Sequence, residues 1–93
     1  MITKDGNSYL VQGPVTMANV TSLLAESANL FDHDALVVDL SAVEEVDSSA
    51  VSLMLQWMRD AKQRSQSLAF TNMPDNLKSL ATLYGVLDIV PQG

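Results

Sequence analysis

No cysteine occurs among the 93 residues, which removes disulfide scaffolds, thiolate metal sites and thiol nucleophiles. Histidine occurs once, as His33, so a site built from several histidines cannot form within one chain. Only five residues are basic against eleven acidic, for a formal net charge of −6. Nucleic-acid binding needs clustered Lys and Arg to neutralise phosphates, so that class is excluded. Four glycines and three prolines are too few for a collagen-like or linker-like chain. The longest uninterrupted apolar run, Ala35 to Val38, is far short of the roughly 20 residues that cross a bilayer. The opening Met-Ile-Thr-Lys-Asp-Gly lacks the basic start and apolar stretch of a secretory signal. No Gly-rich Walker loop is present. The expectation is a cytoplasmic domain with no direct membrane insertion, connected to any membrane through a partner.

What is present is a globular composition, 47% hydrophobic and 17% charged. A chain of this size buries about 64% of its unfolded surface, enough for one core without staples. One domain over residues 1–93 is expected. Charge is uneven: residues 1–47 hold one base and eight acids, for −7, and residues 48–93 hold four bases and three acids, for +1. The acidic half either steers a basic partner or is simply a solvated face.

Hydrophobic spacing gives the order β-β-α-β-α-β-α, with a final strand in doubt. Ser8–Gln12 reads as a strand stopped by Gly13-Pro14, with a second short strand at Val15–Thr16. From Met17 the period becomes helical, with Val20, Leu23, Leu24, Ala28 and Phe31 on one face and Glu26 and Asn29 opposite. Asp32-His33-Asp34 is a polar turn, and Ala35–Leu40 a strand buried on both faces. Ser41–Asp47 reads as an acidic connector. Asp47 then caps a helix whose buried stripe is Ala50, Val51, Met54, Trp57, Met58 and Ala61. Ser52, Gln56, Arg59 and Gln63 form its outer face. Ser67–Thr71 is a further strand, and a third helix starts at Pro74 or Asp75 and stops at Gly85, with Leu77, Leu80, Ala81 and Tyr84 turned inward. Val86–Val90 is the candidate last strand. Helices alternating with apolar strands predict an α/β fold, a mixed sheet covered by helices.

Chemistry concentrates at residues 38–50, where a strand ends, acids follow, and Ser48 and Ser49 occupy the first turn of a helix. Unpaired backbone N–H groups there favour an anion, while the Asp47 carboxylate repels one. Two readings therefore stand side by side, serines that only cap and a serine modified as a charge switch. His33 is a loop residue before it is a ligand or base. Trp57 has core spacing, although a tryptophan also suits an interface anchor. Glu44 and Glu45 are adjacent and cannot flank a substrate as a glycosidase pair does. No catalytic residue, metal or cofactor is expected.

The passage Asp39-Leu40-Ser41 … Val46-Asp47-Ser48-Ser49 resembles the signature of the STAS domain family, which includes anti-sigma-factor antagonists and tails of sulfate transporters. In the antagonists the serine after the aspartate is phosphorylated, and here that position is Ser48. They continue with Gly-Leu-Gly, where this chain has Ala50-Val51-Ser52. A fuller resemblance, over nearly the whole chain, is to the MlaB-type STAS subunits of bacterial phospholipid-trafficking ABC transporters. Val38-Asp39-Leu40-Ser41, Val46-Asp47-Ser48 and Leu80-Ala81-Thr82-Leu83-Tyr84-Gly85-Val86 carry it. Those subunits have threonine at the position of Ser48, so a hydroxyl is kept.

The resemblance implies a STAS-like α/β fold with a four- to five-stranded mixed sheet and about three to four helices. It implies a non-catalytic subunit that binds and supports a cytoplasmic ABC ATPase and, through it, the membrane permease, in phospholipid trafficking and outer-membrane lipid asymmetry. Such a subunit is peripheral to the inner membrane. Carried over, Asp47, Ser48 and Ser49 centre the docking patch, and Ser52 and Gln56 extend it. The alternative is an anti-sigma-factor antagonist switched by phosphorylation at Ser48. A homodimer through the same helix face in isolation stays open.

Overall fold

The computed structural model describes residues 1–92. Four strands, β1 (Ile2–Asp5), β2 (Ser8–Val15), β3 (Ala35–Val46) and β4 (Ser67–Thr71), form one sheet in that order. β1 is antiparallel to β2, and β2, β3 and β4 are parallel. The parallel steps are bridged by α1 (Val20–Leu30) and α2 (Ser48–Gln63), and β4 is followed by α3 (Asp75–Leu83). The expected mixed sheet with helices over it is the fold observed, with four strands and three α-helices.

β1 is absent from the sequence reading, which starts the sheet at Ser8. Its signal is the two-residue Gly6-Asn7 loop between Asp5 and Ser8, paired across the hairpin, with Gly6 at a φ of 64°. Glycine takes that conformation without steric cost. β1 is charged and exposed apart from Ile2, so it carries almost no hydrophobic pattern.

Gly13-Pro14 does not end β2. The strand continues to Val15, with register shifts against β3 on either side of this pair. β1 pairs only with Ser8 to Val11, so Pro14 has no strand on that side and its missing N–H breaks no ladder there. Val15 thus closes β2 instead of opening a second strand.

Ser41–Val46, read as a connector, is the second half of β3. β3 pairs with both neighbours as far as Asp39 and then with β2 alone, through Ala42, Val43 and Val46. Val43 is buried there, whereas Glu44 and Glu45 are exposed. Charges on a strand with one open edge imitate a loop in sequence. The last segment, Val86–Val90, holds a 3₁₀ turn at Leu87–Ile89 in place of a strand. Past that turn Gln92 bridges to the sheet at Phe70, whose N–H donates to the Pro91 carbonyl at 2.8 Å.

The buried residues form one cluster, which puts the helices on a single face of the sheet. Leu36, Val38 and Leu40 of β3 point into it, and the alternate residues Val37 and Asp39 face the other way, half-buried. Aromatic rings run through this core in sequence. Tyr9 and Phe31 are 4.7 Å apart, Phe31 and Trp57 5.3 Å, and Trp57 and Phe70 6.4 Å, within the range of favourable ring pairs. Trp57 is therefore core.

α1 turns differently from its apolar pattern. Leu24 and Ala28 are exposed, and Ser27 is buried. The Ser27 hydroxyl accepts the Trp57 indole N–H at 2.7 Å and donates to the Leu24 carbonyl at 2.8 Å. A buried indole N–H without a partner costs about 1–3 kcal/mol, enough to offset what a leucine gains by turning inward. Glu26, expected on the solvent face, is half-buried and accepts the Ile2 N–H.

Both later helices end in the same way. After α3, Gly85 (φ 70°) donates to Thr82 and Val86 to Ala81, the paired bonds of a Schellman stop. After α2, Ser65 and Gln66 make the equivalent bonds to Lys62 and Ala61, but Ser65 is a non-glycine at a φ of 57°. Tyr84, expected to turn inward, is the residue at which α3 ends, and it is 54% exposed.

Ser65→Gly should therefore raise stability by about 0.5–1 kcal/mol, read as a higher urea midpoint at unchanged slope. Ser27→Ala should lower it by about 1–3 kcal/mol, since the buried indole N–H is left without an acceptor. In the latter variant, Trp57→Phe should recover part of the loss, checked by the same denaturation curves.

Candidate functional site

Asp47 ends the chain's passage along β3 and caps α2. Its Oδ1 accepts the Ser49 N–H at 2.8 Å, and its Oδ2 accepts the Met17 N–H at 3.0 Å. One carboxylate thus ties two segments, the first turn of α2 and the turn between β2 and α1. That turn is itself closed by Asn19, whose Oδ1 accepts the Thr16 N–H at 2.7 Å and whose Nδ2 donates to the Pro14 carbonyl. The Met17 N–H, ahead of the Ser49 N–H and hydroxyl, holds the Asp47 carboxyl below the usual carboxylate range, against a smaller upward pull from desolvation.

Ser48 is the first residue of α2 and is exposed, Ser49 is half-buried, and Ser52 is exposed one turn on. Gln56 is half-buried and not merely solvated. Its Nε2 donates to Asp60 Oδ1 at 2.9 Å, and its Oε1 accepts from Arg59 Nη2 at 2.7 Å. Ser48, Ser52, Gln56 and Arg59 lie at helical spacing along one ridge.

An apolar cleft flanks each side of that ridge. One, of about 460 Å³, is lined by Ser48, Val51, Ser52, Leu55, Tyr84 and Val86. The other, of about 230 Å³, lies towards α1 and is lined by Val20, Thr21, Leu24, Ser52, Leu53, Gln56 and Arg59. Ser52 borders both. Three exposed large apolar side chains surround the ridge: Tyr84 and Leu24 in the clefts, and Met17, 77% exposed, on the turn that Asp47 holds. The structure brings together all five residues expected from sequence and adds these three. Leu24 and Tyr84 escaped notice because the helical pattern assigned both to the core. Their signals were the alternative inward residue Ser27 and the position of Tyr84 directly before a stop glycine.

The ridge offers hydroxyl and amide groups without a base to activate a serine. His33 precedes the start of β3, whereas Ser48 follows its end, so the strand's length separates them. Among the described residues no group of three or more His, Asp or Glu could hold a metal. No helix among them is long and apolar enough to cross a membrane.

A family model described as "Mlab, STAS domain" matches residues 8–91. The chain belongs to the STAS domain family. STAS domains are generally non-catalytic binding modules. Among solved structures, the anti-sigma factor antagonist SpoIIAA in its unphosphorylated form superposes with a TM-score of 0.76 at 15% identity, covering 100% of this chain and 86% of that one. A protein called Mglu gives a TM-score of 0.62 at 15% identity, over 83% of this chain and 20% of the other. The STAS chain thus spans about a fifth of Mglu. Both likenesses show the fold. No curated protein sequence matches the chain significantly.

The double role of Asp47 is directly readable. In acid titration the amide protons of Met17 and Ser49 should shift together, with a midpoint below 3.8. Asp47→Ser keeps an N-cap acceptor but is too short to reach Met17, so both titrations should vanish while α2 stays folded. A carboxylate with a lowered pKa stabilises the fold above its unfolded value and loses that contribution as pH falls through its folded value. Asp32, lowered chiefly by Lys4, and Asp39, lowered chiefly by the Ser41 N–H, act in the same direction. Thermal stability should accordingly be flat between about pH 5 and pH 9 and fall below about pH 4, followed by circular dichroism.

Proposed function

We propose that this STAS domain is a non-catalytic subunit that binds and supports the cytoplasmic ATPase of an ABC transporter for phospholipid trafficking, with Asp47, Ser48, Ser49, Ser52 and Gln56 at the centre of the contact. The observation that carries the reading is the α2 ridge with apolar clefts on both sides, formed at the segment where the chain resembles MlaB-type subunits. The Mlab description of the matching family model supports it. ATP hydrolysis belongs to the partner, and the membrane permease is reached through that partner. The subunit is then cytoplasmic and peripheral to the inner membrane, and serves outer-membrane lipid asymmetry.

A second reading, an anti-sigma-factor antagonist switched at Ser48, is favoured by one observation. Ser48 is exposed at the first position of α2, where a kinase reaches its hydroxyl. A phosphate there adds about −1.5 to −2 charges to the ridge beside Asp47, which changes the docking surface and leaves the core alone.

Co-expression with the ATPase subunit of its host's phospholipid-trafficking ABC transporter, followed by purification through a tag on the ATPase, tests the first reading. Wild type should co-purify. Ser48→Ala should weaken the complex about fivefold, the worth of one hydrogen bond, and Ser48→Glu should abolish it by charge and bulk. Equal yields from wild type and Ser48→Glu would remove Ser48 from the interface. A phosphorylated native species by intact mass, with an anti-sigma factor as its partner, would establish the second reading instead.

A further inference from the structure

The α2 ridge is poor in acids, its neighbouring carboxylates being the Asp47 cap and Asp60. Ten of the eleven acids lie outside α2, and the eleventh, Asp60, accepts a hydrogen bond from Gln56. Neither cleft is lined by any carboxylate, and Arg59 is the one charged residue lining either of them. Arg59 is exposed and makes no ion pair among the described residues. One of its N–H groups is spent on Gln56 Oε1, and a guanidinium carries five. Gln56 is anchored in turn by Asp60, so the Arg59 fork is held along the ridge at the mouth of the α1–α2 cleft. Arg64, exposed and likewise without an ion pair among the described residues, borders the adjoining cavity with Leu24 and Asp60, whereas Lys62 faces the other side of α2, towards Leu68 and Ile89. Val20, Leu24 and Leu53 give the cleft an apolar floor and wall beside Arg59.

We propose that the α1–α2 cleft takes an amphipathic acidic segment of the partner, one apolar side chain entering between Leu24 and Leu53 and a neighbouring carboxylate pairing with Arg59. This rests on the docking function proposed above and adds the chemistry of what docks. It departs from the basic-partner reading of the net charge, because the one charged residue lining either cleft is the basic Arg59. An acidic segment approaching the acidic first half of the chain is repelled. At the α1–α2 cleft it meets the Arg59 guanidinium, so charge favours one orientation.

The test is the affinity of the purified ABC ATPase for wild type, Arg59→Gln, Arg59→Glu, Leu24→Lys and Ser48→Glu, by calorimetry at low and high salt. Circular dichroism checks that each variant is folded. Arg59→Glu should weaken binding about tenfold or more at low salt, mainly through a slower on-rate, with a smaller loss at high salt. Arg59→Gln should show an intermediate loss, and Leu24→Lys a loss that salt does not relieve. A Glu→Lys or Asp→Lys change in the ATPase that restores binding to Arg59→Glu would identify the partner carboxylate. If wild type binds and Ser48→Glu does not, but the Arg59 and Leu24 variants bind as wild type, this inference is overturned and the docking function stands. If wild type does not bind the ATPase, the docking function falls and this inference with it.

Discussion

The indole N–H of Trp57 finds its acceptor in the Ser27 hydroxyl, and much of the molecule's arrangement depends on that bond. It joins α1 to α2 across 30 residues of sequence and sets the rotation of α1 about its own axis. With Leu23 and Ser27 inward, Leu24 lies at the edge of the buried face and forms one wall of the α1–α2 cleft. The same tryptophan packs between Phe31 and Phe70, so the contact that orients α1 also seats α2 on the sheet. A polar requirement inside the core thereby shapes the surface, because a buried donor must be paired whatever the apolar pattern prefers.

Asp47 does for the top of the molecule what Ser27 does for its interior. The residue lies in the proposed docking region, and both its oxygens are engaged by backbone donors, Ser49 on α2 and Met17 on the preceding turn. Its carboxylate therefore positions the segments around it. Its position after a long strand matters, because β3 carries the chain to the far end of the sheet, where α2 starts alongside the β2–α1 turn. Ser48, Ser52, Met17 and the two clefts meet at that corner.

Much of this was readable from residue types. Asp47 as a cap, the extent and buried stripe of α2, Trp57 in the core and the Gly85 stop all follow from local chemistry acting within a few residues. Ser48, Ser52 and Gln56 were legible as one face for the same reason. What was not legible depended on neighbours distant in sequence. β1 is nearly devoid of apolar residues and exists because a glycine turn folds it onto β2. Ser41–Val46 is a strand because β2 runs alongside it. Leu24 and Tyr84 face outward because Ser27 has a partner on another helix and because α3 stops one residue too soon for Tyr84 to return inward. Periodicity counts apolar residues, whereas these outcomes were decided by hydrogen bonds.

β4 ends at Thr71, but β3 runs on to Val46, so the upper part of β3 has an edge with no strand beside it. Unpaired strand edges invite another chain to add on, the route by which sheet proteins aggregate. Asn76 covers one carbonyl of that edge, at Glu44, and the exposed carboxylates of Glu44 and Glu45 stand along it. Two copies meeting edge to edge there would bring four like charges together. The adjacent glutamates thus oppose edge-to-edge pairing of two copies by like-charge repulsion.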